Sequence, residues 1–128
     1  MGGKTSRTKG HSFERLVARI LRVTFPGAAR GLQYRDPSAC DVEGTPFRIE
    51  CKRLKKVNTA DVVKAIMQCE TDAHNWEDHR PCIVISKEDR GKIYVTMRLG
   101  ALLTIAERLF YSHPDEASIL PFLTKDEA

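Results

Sequence analysis

The chain has 128 residues, 41% of them hydrophobic and 30% charged, with 21 Lys and Arg against 17 Asp and Glu for a formal charge of +4. That composition suits one folded domain with one core and excludes a disordered polymer. No apolar run approaches the ~20 residues that span a bilayer, and MGGKTSRTKGHSFE has no apolar stretch to act as a signal peptide, so a cytoplasmic protein without a membrane partner is expected.

Residues 1–10 are rich in Gly, Lys, Thr and Ser and read as a flexible basic arm carrying Lys4, Arg7 and Lys9. Met1-Gly2 followed by Ser6 has the outline of a myristoylation site, without a second membrane signal beside it. The domain proper is expected over 11–112, with 113–128 as a tail that leans acidic. Phe13, Leu16, Val17, Ile20 and Leu21 fall at helical spacing, so a first helix starts near His11 or Ser12 and ends at Pro26-Gly27.

Three short strands follow, at about Arg30–Arg35, Cys40–Glu43 and Phe47–Arg53. The turn Glu43-Gly44-Thr45-Pro46 makes the second and third an antiparallel hairpin. Asn58 or Thr59 caps a second helix that buries Val62, Ala65, Ile66, Cys69 and Ala73 and ends near Trp76. PCIVISK (81–87) is nearly all apolar and reads as a central strand, while KIYVTMR (92–98) alternates as another. Gly100 precedes a third helix with Leu102, Leu103, Ala106, Leu109 and Phe110 inward, as core or dimer contact. The order α-β-β-β-α-β-β-α is an α/β (α+β) arrangement, a mixed sheet with helices packed on it.

Cys40, Cys51, Cys69 and Cys82 form no C-x-x-C pair, so reduced and mostly buried thiols are expected. Cys69, His74, His79 and Cys82 share a short window, but their spacing matches no common zinc finger.

The chemistry concentrates on the third strand, FRIECKR (47–53). Alternation gives Phe47, Ile49, Cys51 and Arg53 one face, and Arg48, Glu50 and Lys52 the other. If Val42 packs with Ile49 and Cys51, Asp41 joins Glu50 and Lys52. Two carboxylates on adjacent strands suit a hard divalent cation, and a lysine beside them can orient a water and offset charge growing on an attacked phosphate. Read plainly, Glu50 and Lys52 are a surface ion pair, Glu14 favours a helix N-terminus, Ser38 caps a loop, Gln68 is solvated helix surface, and Trp76 and Tyr94 pack.

Asp-(x8)-Glu-x-Lys on a hairpin resembles the PD-(D/E)xK nuclease superfamily, with Asp41 at the Asp position and Glu50-Cys51-Lys52 at E-x-K. Within it the chain is most similar to the archaeal-type Holliday junction resolvases: KGHSFER (9–15) matches their K-G-x-x-x-E-R helix, followed by Arg30, Arg35, the DPSACD loop and IECKR. The likeness covers about residues 4–70 and departs from the family at Cys40, which stands where a proline is usual.

The resemblance implies a restriction-endonuclease-like core and Mg2+- or Mn2+-dependent phosphodiester hydrolysis at four-way DNA junctions. It implies that Asp41, Glu50 and the Cys51 carbonyl hold the metal, that Glu14 completes the site, and that Lys52 orients or helps deprotonate the attacking water. DNA contacts fall to Lys4, Arg7, Lys9, Arg30, Arg35, Ser38, Arg53, Lys55 and Lys56, which position the backbone without reading sequence. Two symmetric cuts call for a two-fold homodimer, and the short length suits a phage or mobile-element enzyme. The alternatives are another nuclease of the superfamily, nicking or restriction-like, and a non-catalytic basic DNA-binding module.

Overall fold

The computed structural model of the protein describes residues 2–111, with side chains described over 9–108. The expected 113–128 tail and the side chains of Lys4, Arg7, Leu109 and Phe110 lie outside the described residues. The elements are α1 (Gly2–Leu21), β1 (Ala29–Arg30), β2 (Val42–Glu43), β3 (Arg48–Leu54), α2 (Thr59–Asn75), β4 (Cys82–Glu88), β5 (Ile93–Thr96) and α3 (Leu99–Tyr111). Their order is the expected one. They build a five-stranded mixed sheet, β1-β2-β3-β4-β5, with three helices.

The chain divides into two compact units, one through Thr96 and one from Met97, where a single domain over 11–112 is expected from sequence. The first unit holds the whole sheet, α1 and α2. In the second, α3 is the only helix or strand described; of the residues expected inward, Leu102 is 49% exposed, while Leu103 and Ala106 are half-buried. Among the described residues no helix is long and apolar enough to cross a membrane.

Helix α1 begins at Gly2, so residues 2–10, expected as a flexible arm, continue the helix. No proline interrupts this segment, but its three glycines, two threonines and serine are weak helix formers, so propensity does not account for the extension. Phe13, Val17 and Ala18 are buried, but Ile20 is 48% exposed. Strands β1 and β2 are two residues each, which leaves the last turn of α1 little sheet to cover. The first strand stops at Arg30 because the chain turns at once: Arg35 and Asp36 both donate their amides to the Leu32 carbonyl.

Parallel pairing of β3 with β4 runs from Arg48↔Cys82 to Leu54↔Glu88, with α2 as the crossover. Asn58 caps α2 by accepting the Asp61 amide at 2.9 Å. Its buried residues are the expected Val62, Ala65, Ile66, Cys69 and Ala73. β4 is buried over Ile83, Val84, Ile85 and Ser86, as a strand covered on both faces should be. β5 pairs antiparallel with β4 over Ile93–Thr96, shorter than the expected 92–98.

The β2–β3 hairpin turns through Gly44, whose φ of +85° is left-handed. The turn docks on the loop after α1, where Phe25 meets Phe47 edge to face at 5.7 Å. A Cβ on Gly44 would strike the Gly27 carbonyl oxygen. Gly44→Ala should therefore lose on the order of 1–3 kcal/mol of stability. A urea midpoint equal to wild type would show that the turn relaxes at no cost.

Candidate active site

Strand β2 runs beside β3 only briefly. Val42 pairs with Ile49, and the Asp41 amide donates to the Ile49 carbonyl at 3.0 Å. Beyond that the Asp41 carbonyl turns to β1 and accepts the Gly31 amide at 2.8 Å. Gly31 fits because a Cβ there would overlap the Cys40 carbonyl oxygen. The next amide of β3 facing this side belongs to Cys51, and it donates to Asp41 Oδ2 at 2.8 Å. Gln33 Nε2 donates to Asp41 Oδ1 at 3.2 Å. A strand residue's N–H and C=O point the same way, so the Cys51 carbonyl also faces the Asp41 side.

Glu50 projects from the next position on β3. Its register partner Val84 packs with Ala65 and Ile66, so Glu50 lies on the face that α2 covers. The charged face of β3 is thus not the solvated surface of the plain reading: Arg48 is 4% exposed, and the Glu50 side chain 20%. Val42 and Ile49, on the opposite face, are fully buried, with α1 packed against the same strands.

Burial pushes the Glu50 carboxyl up to about 7, helped by the charges of Asp41, Asp72 and Glu14 and opposed by Lys52. Lys52 Nζ stands 3.7 Å from Glu50 Oε1, with its side chain 44% exposed. Glu14 reaches in from α1 and accepts Arg30 Nε at 2.9 Å. Burial and the Asp41 charge raise its carboxyl above the ordinary value, against the pull of Arg30. The structure thus brings together Glu14, Asp41, Glu50 and Lys52, with Asp41 acting on both glutamates.

Among the described residues, no group of three or more His, Cys, Asp or Glu side chains is arranged to hold a metal ion as it stands. The carboxylates have other partners: Arg30 for Glu14, the Cys51 amide and Gln33 for Asp41, Lys52 for Glu50. The donor set is of the oxygen type that a hard cation takes, though it is not assembled around one as it stands. It offers crowded carboxylate oxygens whose mutual repulsion a divalent ion would relieve, once Arg30 and Lys52 release their partners. The Cys51 side chain shares the face of Ile49, away from Glu50, so it is the Cys51 carbonyl that lies toward Asp41. The Cys69 thiol donates to the Arg48 carbonyl at 3.6 Å, and among the described residues it assembles no zinc set with Cys82, His74 and His79. None of the four cysteines forms a disulfide.

An ionic frame, which sequence reasoning missed, holds the Asp41 loop from the other side. Arg80 pairs with Glu43 at 2.9 Å and with Asp78 at 2.8 Å. Arg48 pairs with Asp78 at 3.0 Å and donates to the Ser38 carbonyl at 3.1 Å. Glu43 Oε2 accepts the Cys40 amide at 2.9 Å. Burial works against the Glu43 charge, but Arg80 and the Cys40 amide still hold its carboxyl below the ordinary value. The Asp78 carboxyl is held far lower, chiefly by its bonds from Arg80. The available signal was Arg48 itself, a charge on a strand that a following helix must cover.

The expected DNA contacts fare unevenly. Arg30 is committed to Glu14, and Arg53 to Asp89 at 3.3 Å. Ser38 Oγ donates to Asp36 Oδ1 at 2.6 Å, the loop-capping arrangement. Arg35 sits exposed in a turn, over the Tyr34 ring at 5.5 Å. Lys9, Lys55 and Lys56 are exposed. Gln68 donates to Asp72 at 3.0 Å on the exposed side of α2. No family model, curated protein or solved structure matches this chain.

Arg80→Ala strips partners from Asp78 and Glu43 and should cost about 2 kcal/mol, read as a lowered denaturant midpoint; no change would mean the frame contributes nothing. Glu50 binds its proton more readily folded than unfolded, between its ordinary 4.5 and about 7. Its contribution to stability is therefore fully present below about pH 4.5 and is lost as pH rises through about 7. Uncharged Glu50→Gln should stabilise the metal-free protein by on the order of 2 kcal/mol at about pH 8 and by little near pH 4.5. Unfolding curves at the two pH values check this, and an equal effect at both would refute it.

Proposed function

We propose that this chain is a divalent-metal-dependent DNA endonuclease with a restriction-endonuclease-like core, acting on four-way junctions as a two-fold homodimer. The observation that carries the reading is the convergence of Glu14, Asp41, Glu50 and Lys52 where β2 leaves β3. The mixed sheet with an α2 crossover between parallel β3 and β4 supports the proposed core.

Asp41, Glu50 and the Cys51 carbonyl would hold Mg2+ or Mn2+, with Glu14 completing the site. The bound ion would supply an acidified water and an electrostatic partner for the phosphate. Lys52, next to Glu50 and half exposed, would orient that water by donating to it and would offset the negative charge growing on the attacked phosphate. Lys9, Arg35, Lys55 and Lys56 would steer and hold flanking phosphates, in the cytoplasm, or in that of the host if the chain is phage-encoded.

Incubation with Mg2+ and a labelled four-way junction, beside matched duplex and single strands, tests the proposal. Paired symmetric nicks on the junction are expected. Equal cutting of plain duplex would leave a nuclease without junction selectivity, and no cutting with Mg2+ or Mn2+ would leave a binding module. Glu50→Gln and Lys52→Ala should each abolish cutting while DNA binding persists, because cation–phosphate contacts carry the affinity. Normal cutting by either variant would rule this site out.

A further inference from the structure

Beside Lys52 lies a cavity of about 290 Å³, lined by Lys52, Leu54, Asp61, Lys64, Ala65 and Gln68. Its position follows from two periodicities. Lys52 and Leu54 continue the strand face of Glu50, one and two alternations further along β3. Asp61, Lys64, Ala65 and Gln68 stand at i, i+3, i+4 and i+7, one face of α2 in its first turns. The cavity therefore opens directly along the strand from the carboxylate cluster.

Its chemistry narrows the occupant. Two ammonium groups, on Lys52 and Lys64, favour an anion and disfavour a cation or a purely apolar guest. Leu54 and Ala65 add an apolar wall. Gln68 spends an amide N–H on Asp72, leaving its carbonyl oxygen as an acceptor. The Asp61 carboxylate accepts Asn58 Nδ2 at 2.7 Å and has capacity for a further donor, such as a sugar hydroxyl or a base N–H. The volume is at the small end of ligand sites, enough for a single nucleotide and too little for a base pair.

We propose that this cavity binds one nucleotide unit of the strand being cut, its phosphate between Lys52 and Lys64 and its sugar and base against Leu54 and Ala65. The proposal rests on the nuclease reading above and adds Lys64, which no motif singles out, as a substrate contact. It also gives Lys52 two neighbours, Glu50 on one side and the bound phosphate on the other.

The test is a metal-free NMR titration of the full chain with thymidine 5′-monophosphate, with thymidine and inorganic phosphate as separate arms. Saturable shifts are expected at residues 52–54 and 61–68, strongest with the monophosphate. Lys64→Glu, on an exposed helix position, should weaken binding about tenfold or more, and Lys64→Arg should keep it within about threefold. Shifts confined to other residues, or Lys64→Glu titrating like wild type, would overturn the proposal. So would inorganic phosphate binding as well as the nucleotide, since the site would then be an anion notch only. Junction cutting is scored separately. Cutting without nucleotide shifts removes the cavity alone, whereas shifts without cutting support the cavity and remove the nuclease reading.

Discussion

The arrangement depends on one hydrogen bond, from the Cys51 amide to Asp41 Oδ2. A two-residue β2 cannot pair with all of β3, and each amide it leaves behind in a half-buried place must find an acceptor. Asp41 meets that requirement with its side chain, taking the position a further residue of β2 would have held. The same act draws its charge up beside β3, between Glu14 from α1 and Glu50 on the α2 face. Backbone satisfaction and charge clustering thus have one cause. Gly31 belongs to it as well, because only a residue without Cβ lets β1 come close enough to take the Asp41 carbonyl.

Four carboxylates around the site fall into two pairs by environment. Asp78 and Glu43 each meet Arg80, and both are held below their ordinary values. Glu50 and Glu14 are buried near Asp41, and both are raised. Burial acts on all four, so the sign is decided by what surrounds each one. The first pair is fully hydrogen-bonded and fixes the loop that carries Asp41. The second is crowded by like charge, the condition in which carboxylates gain most from a cation. The first pair ties the loop through several hydrogen bonds to Arg80 and Arg48, so removing one cation, Arg80, leaves more than one carboxylate short of partners.

Much of the fold is legible in the sequence because periodicity reports burial directly. The five buried positions of α2 follow from spacing alone, as does β4 from its unbroken apolar run. The hairpin is legible from Gly44 and its neighbours. Alternation alone misleads at Arg48 and Glu50, since a charged strand face reads as wet until something covers it. Here α2 covers it, and what lies beneath is a function of three-dimensional packing. Arg30 and Ser38 fail as free DNA contacts for a related reason: their partners, Glu14 and Asp36, are set by how the chain turns after β1. Asp78 and Arg80 lie in a short loop whose composition gives no sign that it closes an ionic frame on Arg48 and Glu43.

The weak pair at the centre sharpens what Lys52 can do. At 3.7 Å and 44% exposed, its ammonium offsets only part of the cost of ionising Glu50, and such a pair is worth at most about 1 kcal/mol. A lysine placed to lock the strand would sit closer and deeper, as Arg48 does against Asp78 at 3.0 Å with 5% exposure. Lys52 is instead held loosely, between a carboxylate that is not firmly charged and a cavity that carries a second ammonium. Moving it from one to the other costs little. In the proposed nuclease a lysine so weakly tied suits the chemistry, because the group that orients a water against the carboxylate cluster must also meet a phosphate arriving along β3.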